Sequence, residues 1–240
     1  MKTKKKVIII IAIIISLIII SSITVSNPLL VDRAFYRMGF QEQTCLQIFD
    51  EEFQSDNVTN IAAVGDFGIT ENSIKTLRNI QSSNPEVILI PGDLSYRTAE
   101  KWIEFTEFMT KDKMYIVLGD ADLPERSDYL KHSVLNDNYY SFDYQNIHFL
   151  AIATNEEKDN EFGIFSDAIQ LDFIRTDLSN AADNPKTDWT IVFMHHPMYA
   201  STTNSYSMEL RNLLQPTFDL YGVSLVINGH KHAYERTNPV

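Results

Sequence analysis

Five short apolar runs, each stopping at a glycine-acid pair or at histidine, constrain the fold of this chain more than any other feature. The runs are Ile61 to Val64, Val87 to Ile90, Met114 to Leu118, Trp189 to Met194 and Val223 to Ile227. They are followed by Gly65-Asp66, Gly92-Asp93, Gly119-Asp120, His195-His196 and Gly229-His230-Lys231-His232. Short β-rich runs spaced by helix-length segments read as the strands of an α/β fold. The helices are expected over Glu71 to Ser82, Ala99 to Thr110, Ser166 to Ala182 and Ser207 to Tyr221. Tyr139 to Tyr144 and Ile147 to Thr154 flank Gln145-Asn146 and read as a hairpin, which makes the sheet system mixed. In open α/β sheets the carboxyl ends of the strands line the ligand crevice, so the five loops are expected to meet at one site.

The residues at those strand ends are donors. Taken singly, Asp66 or Asp93 before a helix reads as an N-cap, and a lone histidine as a structural residue. Three Gly-Asp strand ends in order, joined to Gly-His-x-His, point instead to metal. Carboxylate and imidazole without thiolate suit iron, zinc or manganese. Two such ions about 3.5–4 Å apart can clamp an in-line phosphoryl displacement and acidify a bound water, which assigns the reaction class as metal-assisted hydrolysis of a phosphate ester.

The start of the chain is a separate object. Met1 to Lys6 carries four lysines, and Val7 to Val25 is an almost unbroken apolar run. Nineteen helical residues span about 28 Å, close to the hydrocarbon thickness of a bilayer. Residues 1–26 are read as a membrane anchor or a cleaved signal segment, with the lysines inside and everything after them exported. Residues 27–60 show no sustained period and read as a stalk.

The chain has 240 residues with 44% hydrophobic content, enough for one sizeable core. Its formal charge is -12, and because the first 26 residues carry only lysines, the exported part carries -16. That argues against nucleic acid as a partner. A phosphate-binding enzyme this acidic needs local positive charge, which bound metals would supply. Cys45 is the only cysteine, so no internal disulfide is possible.

Taken together, Gly65-Asp66-Phe67-Gly68, Gly92-Asp93-Leu94-Ser95-Tyr96, Gly119-Asp120-Ala121-Asp122, Val192-Phe193-Met194-His195 and Gly229-His230-Lys231-His232-Ala233-Tyr234-Glu235-Arg236 resemble the calcineurin-like metallophosphoesterases, and most of all the purple acid phosphatases. The resemblance covers about residues 60 to 240. It implies two facing mixed β-sheets flanked by helices. It also implies a binuclear centre in which Asp66, Tyr96 and His232 bind a ferric ion and Asp93 bridges. His195, His230 and Asp120 would hold a second iron, zinc or manganese. The activity implied is hydrolysis of phosphate monoesters on a phosphorylated small molecule. A phosphodiesterase or nucleotide hydrolase on the same fold, and a metal-binding or phosphate-binding surface module, remain the alternatives.

The third motif departs from the pattern. Asn-His followed by an acid is expected there, and Asp120-Ala121 stands in its place. A carboxylate oxygen can ligate where an amide oxygen would. Alanine cannot replace a histidine that contacts substrate and assists the leaving group, a role typically worth about 10² to 10⁴ in rate. His196 and Asp122 are the candidate substitutes, although Pro197 favours an extended His196 whose ring would point away from that of His195. The domain is read as running from residue 61 to beyond Val240, since the resemblance implies further strands after His232.

Overall fold

The structure, a computed structural model, describes residues 58–132, 139–154, 168–201 and 205–238. The anchor or signal segment expected at 1–26, and the stalk expected at 27–60 apart from its last three residues, lie outside them. Among the described residues no helix is long and apolar enough to cross a membrane.

The first three strands, β1 (Ile61–Ala63), β2 (Val87–Pro91) and β3 (Met114–Val117), form one sheet in the order β1-β2-β3. Each connection crosses over through helix: α1 (Glu71–Ser82) joins β1 to β2, and α2 (Ala99–Phe105) leads toward β3. Crossovers of this kind give parallel neighbours, and all pairs in this sheet are parallel. The expectation of two mixed sheets is corrected here, because among the described residues only the second sheet is mixed. That sheet runs β4 (Tyr140–Tyr144), β5 (Ile147–Ile152), β6 (Trp189–Met194), β7 (Leu225–Asn228). The β4-β5 pair is antiparallel, closed by a Gln145-Asn146 turn in which Gln145 takes φ 54°, and the other two pairs are parallel.

The continuous apolar runs follow from burial on both faces. In β2, Val87 and Leu89 face the second sheet, while Ile88 and Ile90 join Leu77 of α1 and Trp102 and Phe105 of α2. In β5, Phe149 and Ala151 face the first sheet. Leu150 and Ile152 pack beneath α4 (Ala168–Asp183) and α5 (Ser205–Tyr221). The result is helices, sheet, sheet, helices in four layers. Phe149 and Phe193 are fully buried on the plane between the sheets, and each contributes about 1.5–3 kcal/mol by leaving water.

Three elements differ from the sequence expectation, each for a local reason. Helix α2 stops at Phe105 rather than Thr110: the Thr106 hydroxyl joins its own N–H on the Trp102 carbonyl, and past it the Glu107 and Met109 N–H groups bond three residues back instead of four. Strand β7 begins at Leu225 rather than Val223. Gly222 ends α5 at φ 68°, and the Val223 N–H bonds back to the Phe218 carbonyl at 3.0 Å, so Val223 serves the helix cap. A 3-10 turn over Asp120–Glu125, running directly into α3 (Arg126–His132), was not expected at all. Pro124 and the acid-rich Asp120-Ala121-Asp122 disguise it.

Candidate metal centre

Backbone hydrogen bonds lace the strand-end loops together. Asp66 N–H donates to the Gly92 carbonyl at 3.1 Å, Phe67 N–H to Asp93 at 3.2 Å, and Gly229 N–H to His195 at 3.0 Å. Three loops come from the first sheet and two from the second. Their donors meet where the carboxyl ends of both sheets come together.

The backbone there is unusual in a way that maps onto the donors. Asp66, Asp93, Tyr96, His230 and His232 all take positive φ, between 49° and 72°. Left-handed conformations cost non-glycine residues about 1–3 kcal/mol each and persist only where the surroundings enforce them. Glycine is required beside them by close approach. A Cβ on Gly92 would stand 2.5 Å from His195 Nδ1, and one on Gly119 would run into the Asp93 carboxylate.

One group of donors is Asp120, His195, His196 and His230, whose ligating atoms all lie within 4.8 Å of one another. His195 Nε2 stands 2.8 Å from Asp120 Oδ1, and His230 Nδ1 is 3.2 Å from that same oxygen. His195 is fully buried, and its Nδ1 donates to the Pro91 carbonyl at 2.9 Å. That bond fixes the tautomer and leaves the Nε2 lone pair facing the group, the arrangement found in histidines that ligate metal. His195 takes a proton more readily than usual. Burial alone would oppose this, but the Asp120 hydrogen bond and the charges of Asp93 and Asp66 outweigh it. Asp120 is in turn held well below the ordinary carboxylate range by the His195 bond.

The other group is Asp66, Asp93 and His195, again within 4.8 Å, with Tyr96 and His232 beside Asp66. The Tyr96 hydroxyl lies 3.2 Å from Asp66 Oδ1 and 2.5 Å from His232 Nε2, and His232 Nε2 is 3.4 Å from the same Asp66 oxygen. Burial and then the Asp93 and Asp66 carboxylates push the Tyr96 phenol far above its ordinary range, and burial raises Asp66. Asp93 stands between the groups: its Oδ1 is 3.4 Å from His195 Nε2, and its charge acts on Tyr96. Three carboxylates and a phenol turned inward, with oxygen and nitrogen donors only, is a donor set that fits hard or borderline cations. A phenolate at Tyr96 requires compensating positive charge of this kind.

Residues 195 and 196 form a bend rather than a continuation of β6, which removes the strand alternation expected from Pro197. The His196 ring therefore does not point away. Its centroid is 4.9 Å from that of His195 and 4.4 Å from that of His230. His196 Nδ1 is 2.9 Å from Thr154 Oγ1, which also accepts the His196 N–H. Burial, then the neighbouring His195 and His230, lower its pKa to about 3, so the ring is neutral.

Asp122 is placed differently from a substrate-facing acid. Its carboxylate is almost wholly buried, accepting the Gly119 N–H at 2.8 Å and the Leu94 N–H at 3.0 Å, and burial pushes it up to about 6. Ala121 offers its N–H to Asp93 Oδ1 at 3.0 Å. The pattern of strand ends gave no sign of Thr154 or the Pro91 carbonyl, since these bond the donor histidines rather than stand among the donors.

Residues 59–234 match the family described as calcineurin-like phosphoesterase. Purple acid phosphatase 18 of Arabidopsis thaliana is 30% identical over 243 residues, covering 90% of this chain and 53% of the relative. Purple acid phosphatase 15 of the same plant is 25% identical, covering 75% and 41%. A purple acid phosphatase from yellow lupin (Lupinus luteus) seeds shares the fold with a TM-score of 0.56 and 20% identity over 74% of this chain and 38% of that one. The chain spans about half the length of the curated relatives it matches, and the likeness implies a dinuclear metal site.

Proposed function

We propose, from the premise that this chain belongs to the calcineurin-like phosphoesterase family, that it hydrolyses phosphate monoesters at an iron-containing two-metal centre, as an acid phosphatase does. The observation that carries this is the junction of the two donor groups at Asp93 and His195. In this reading Asp66, Tyr96 and His232 hold a ferric ion. His195, His230 and Asp120 hold a second iron, zinc or manganese, and Asp93 is shared. When bound, such a pair supplies charge to the phosphoryl oxygens and a water of lowered pKa.

The chain's own residues then divide the remaining work. The buried His195 tautomer, fixed by Pro91, presents a lone pair and cannot turn away. His196, neutral and anchored through Thr154, is suited to offer an N–H to a phosphoryl or leaving-group oxygen but carries no second proton to give. Asp122, engaged by two backbone N–H groups, holds loops rather than protonating a leaving group. Substrates with good leaving groups, such as aryl phosphates, therefore suit this site best. The lysines at the start of the chain and the apolar run after them support an anchored or exported domain acting outside the cytoplasm.

Ala121 favours one second reading, a surface module that binds metal or phosphate without turnover. Metal analysis, visible absorption and turnover of an aryl phosphate monoester and diester separate the cases. We expect two metals per chain, a phenolate-to-iron absorption band and faster cleavage of the monoester. Two metals without turnover would establish the binding module, and preference for the diester would establish a phosphodiesterase.

A further inference from the structure

Behind Tyr96 lies a polar network that none of the strand-end motifs predicts. Ser95, Asp122 and Tyr129 are each buried to 2% exposure or less. The Arg97 N–H donates to Ser95 Oγ at 3.0 Å, and Ser95 Oγ meets the Tyr129 hydroxyl at 2.8 Å. The Tyr129 hydroxyl is also 3.4 Å from the Arg97 carbonyl, and burial first, then the charge of the nearby Asp122 carboxylate, push its pKa up to about 12. Asp122 in turn accepts the N–H of Leu94, next to Asp93, and that of Gly119, next to Asp120. Bonds thus run from α3 to both sides of the left-handed Tyr96, and from Asp122, in the loop after β3, to the residues beside Asp93 and Asp120.

We propose that Tyr129, Ser95 and Asp122 together form a positioning device, with Asp122 holding the chain beside Asp93 and the Tyr129–Ser95 pair holding Tyr96 at the metal centre. Two features support it. The conformation of Tyr96, at φ 53°, must be imposed from outside the residue. Tyr96 is 39% exposed, and its ring and hydroxyl meet His232 and Asp66, groups of the metal centre itself. Its chain neighbours, Ser95 and Arg97, are both tied to Tyr129. Tyr129 stands on α3 and packs into the core beneath the first sheet, so it ties the loop to a fixed element. Groups of this kind behind a metal ligand are typically worth about 10- to 100-fold in metal affinity.

The inference rests on the reading of Tyr96 as a metal ligand, and Tyr129→Phe tests it, because the ring and its packing stay while the hydroxyl goes. In the iron-loaded protein we expect the phenolate-to-iron band to shift or weaken and iron affinity to fall about 10-fold or more. Metal held by His195, His230 and Asp120 should be retained, and the melting temperature should stay near that of the parent. An unchanged band and unchanged iron affinity would overturn the proposal. If the parent protein itself shows no such band, the iron reading falls instead. The network is then judged by hydrogen exchange in the metal-free protein, where the amides of residues 94–98 should exchange faster in Tyr129→Phe. Unchanged exchange there would overturn it as well.

Discussion

His195 is fully buried with its Nδ1 fixed on the Pro91 carbonyl, whereas His232, in the same site, leaves 61% of its side chain exposed and meets Asp66 and Tyr96. The contrast extends to their surroundings. Around His195, the tertiary structure sets two of the three rings before any ion arrives: Pro91 orients His195 and Thr154 orients His196. Around His232, geometry is imposed on the backbone, with Asp66, Tyr96 and His232 all at positive φ. Side-chain bonds to the fold dominate in the buried half, where His230 is also left-handed, and strained backbone dominates in the open half. An ion in the open half has to hold together what the fold alone holds in the buried half.

Ala121→His gives the largest expected effect. Residue 121 follows Asp120 and touches Asp93 through its N–H, so a histidine there would bring a proton donor beside the buried half without disturbing the open one. We expect kcat for an alkyl phosphate, a poor leaving group, to rise about 100-fold, and that for an aryl phosphate to rise less. Equal rates in parent and variant for both esters would show that the missing acid is not what limits the site.

The comparison itself is tested by truncating one histidine from each half in the metal-free protein. His195→Ala leaves a cavity and an unpaired Pro91 carbonyl, at a cost of about 2–3 kcal/mol in denaturant unfolding. His232→Ala removes an exposed ring and should change stability by less than about 0.5 kcal/mol. Each should lose metal on its own side. Equal destabilisation by the two substitutions would abolish the distinction drawn between the halves.

How much of this could be read in the sequence divides along the same line. The strand ends, Gly-Asp and Gly-His-x-His, are local patterns, and they named the residues that cluster from Asp66 to His232. The five apolar runs and the hairpin likewise marked every strand among the described residues. What sets the buried half was not legible, because Pro91 O and Thr154 Oγ1 are ordinary groups whose partners are 104 and 42 residues away. His196 was misjudged for a related reason. The alternation rule holds along a strand, and the chain bends as soon as it leaves β6. The parallel first sheet is also a matter of tertiary pairing, as the hairpin at Gln145-Asn146 is visible locally but governs only the second sheet.

A smaller effect comes from far outside the site, where a histidine is fixed by tertiary bonds at both nitrogens. His148 on β5 is buried with Nδ1 2.7 Å from Asp143 Oδ1 on β4 and Nε2 2.8 Å from Asp177 Oδ2 on α4, and Ser141 also donates to Asp177. An ionised carboxylate only accepts, so both ring nitrogens must carry hydrogen and the ring must be an imidazolium. Burial alone would lower its pKa, but the Asp177 and then the Asp143 hydrogen bonds outweigh burial and raise it. A histidine with a raised folded pKa contributes stability that is complete below the unfolded value, about 6.5, and is lost as pH rises through the folded value. The metal-free protein should therefore lose melting temperature as pH rises above about 6.5. His148→Asn should be less stable than the parent at pH 5 and lose less of its stability over that rise. If parent and variant fall in parallel, the clamp between α4 and the second sheet is not charged. The rigidity of the fixed regions would then owe nothing to protonation.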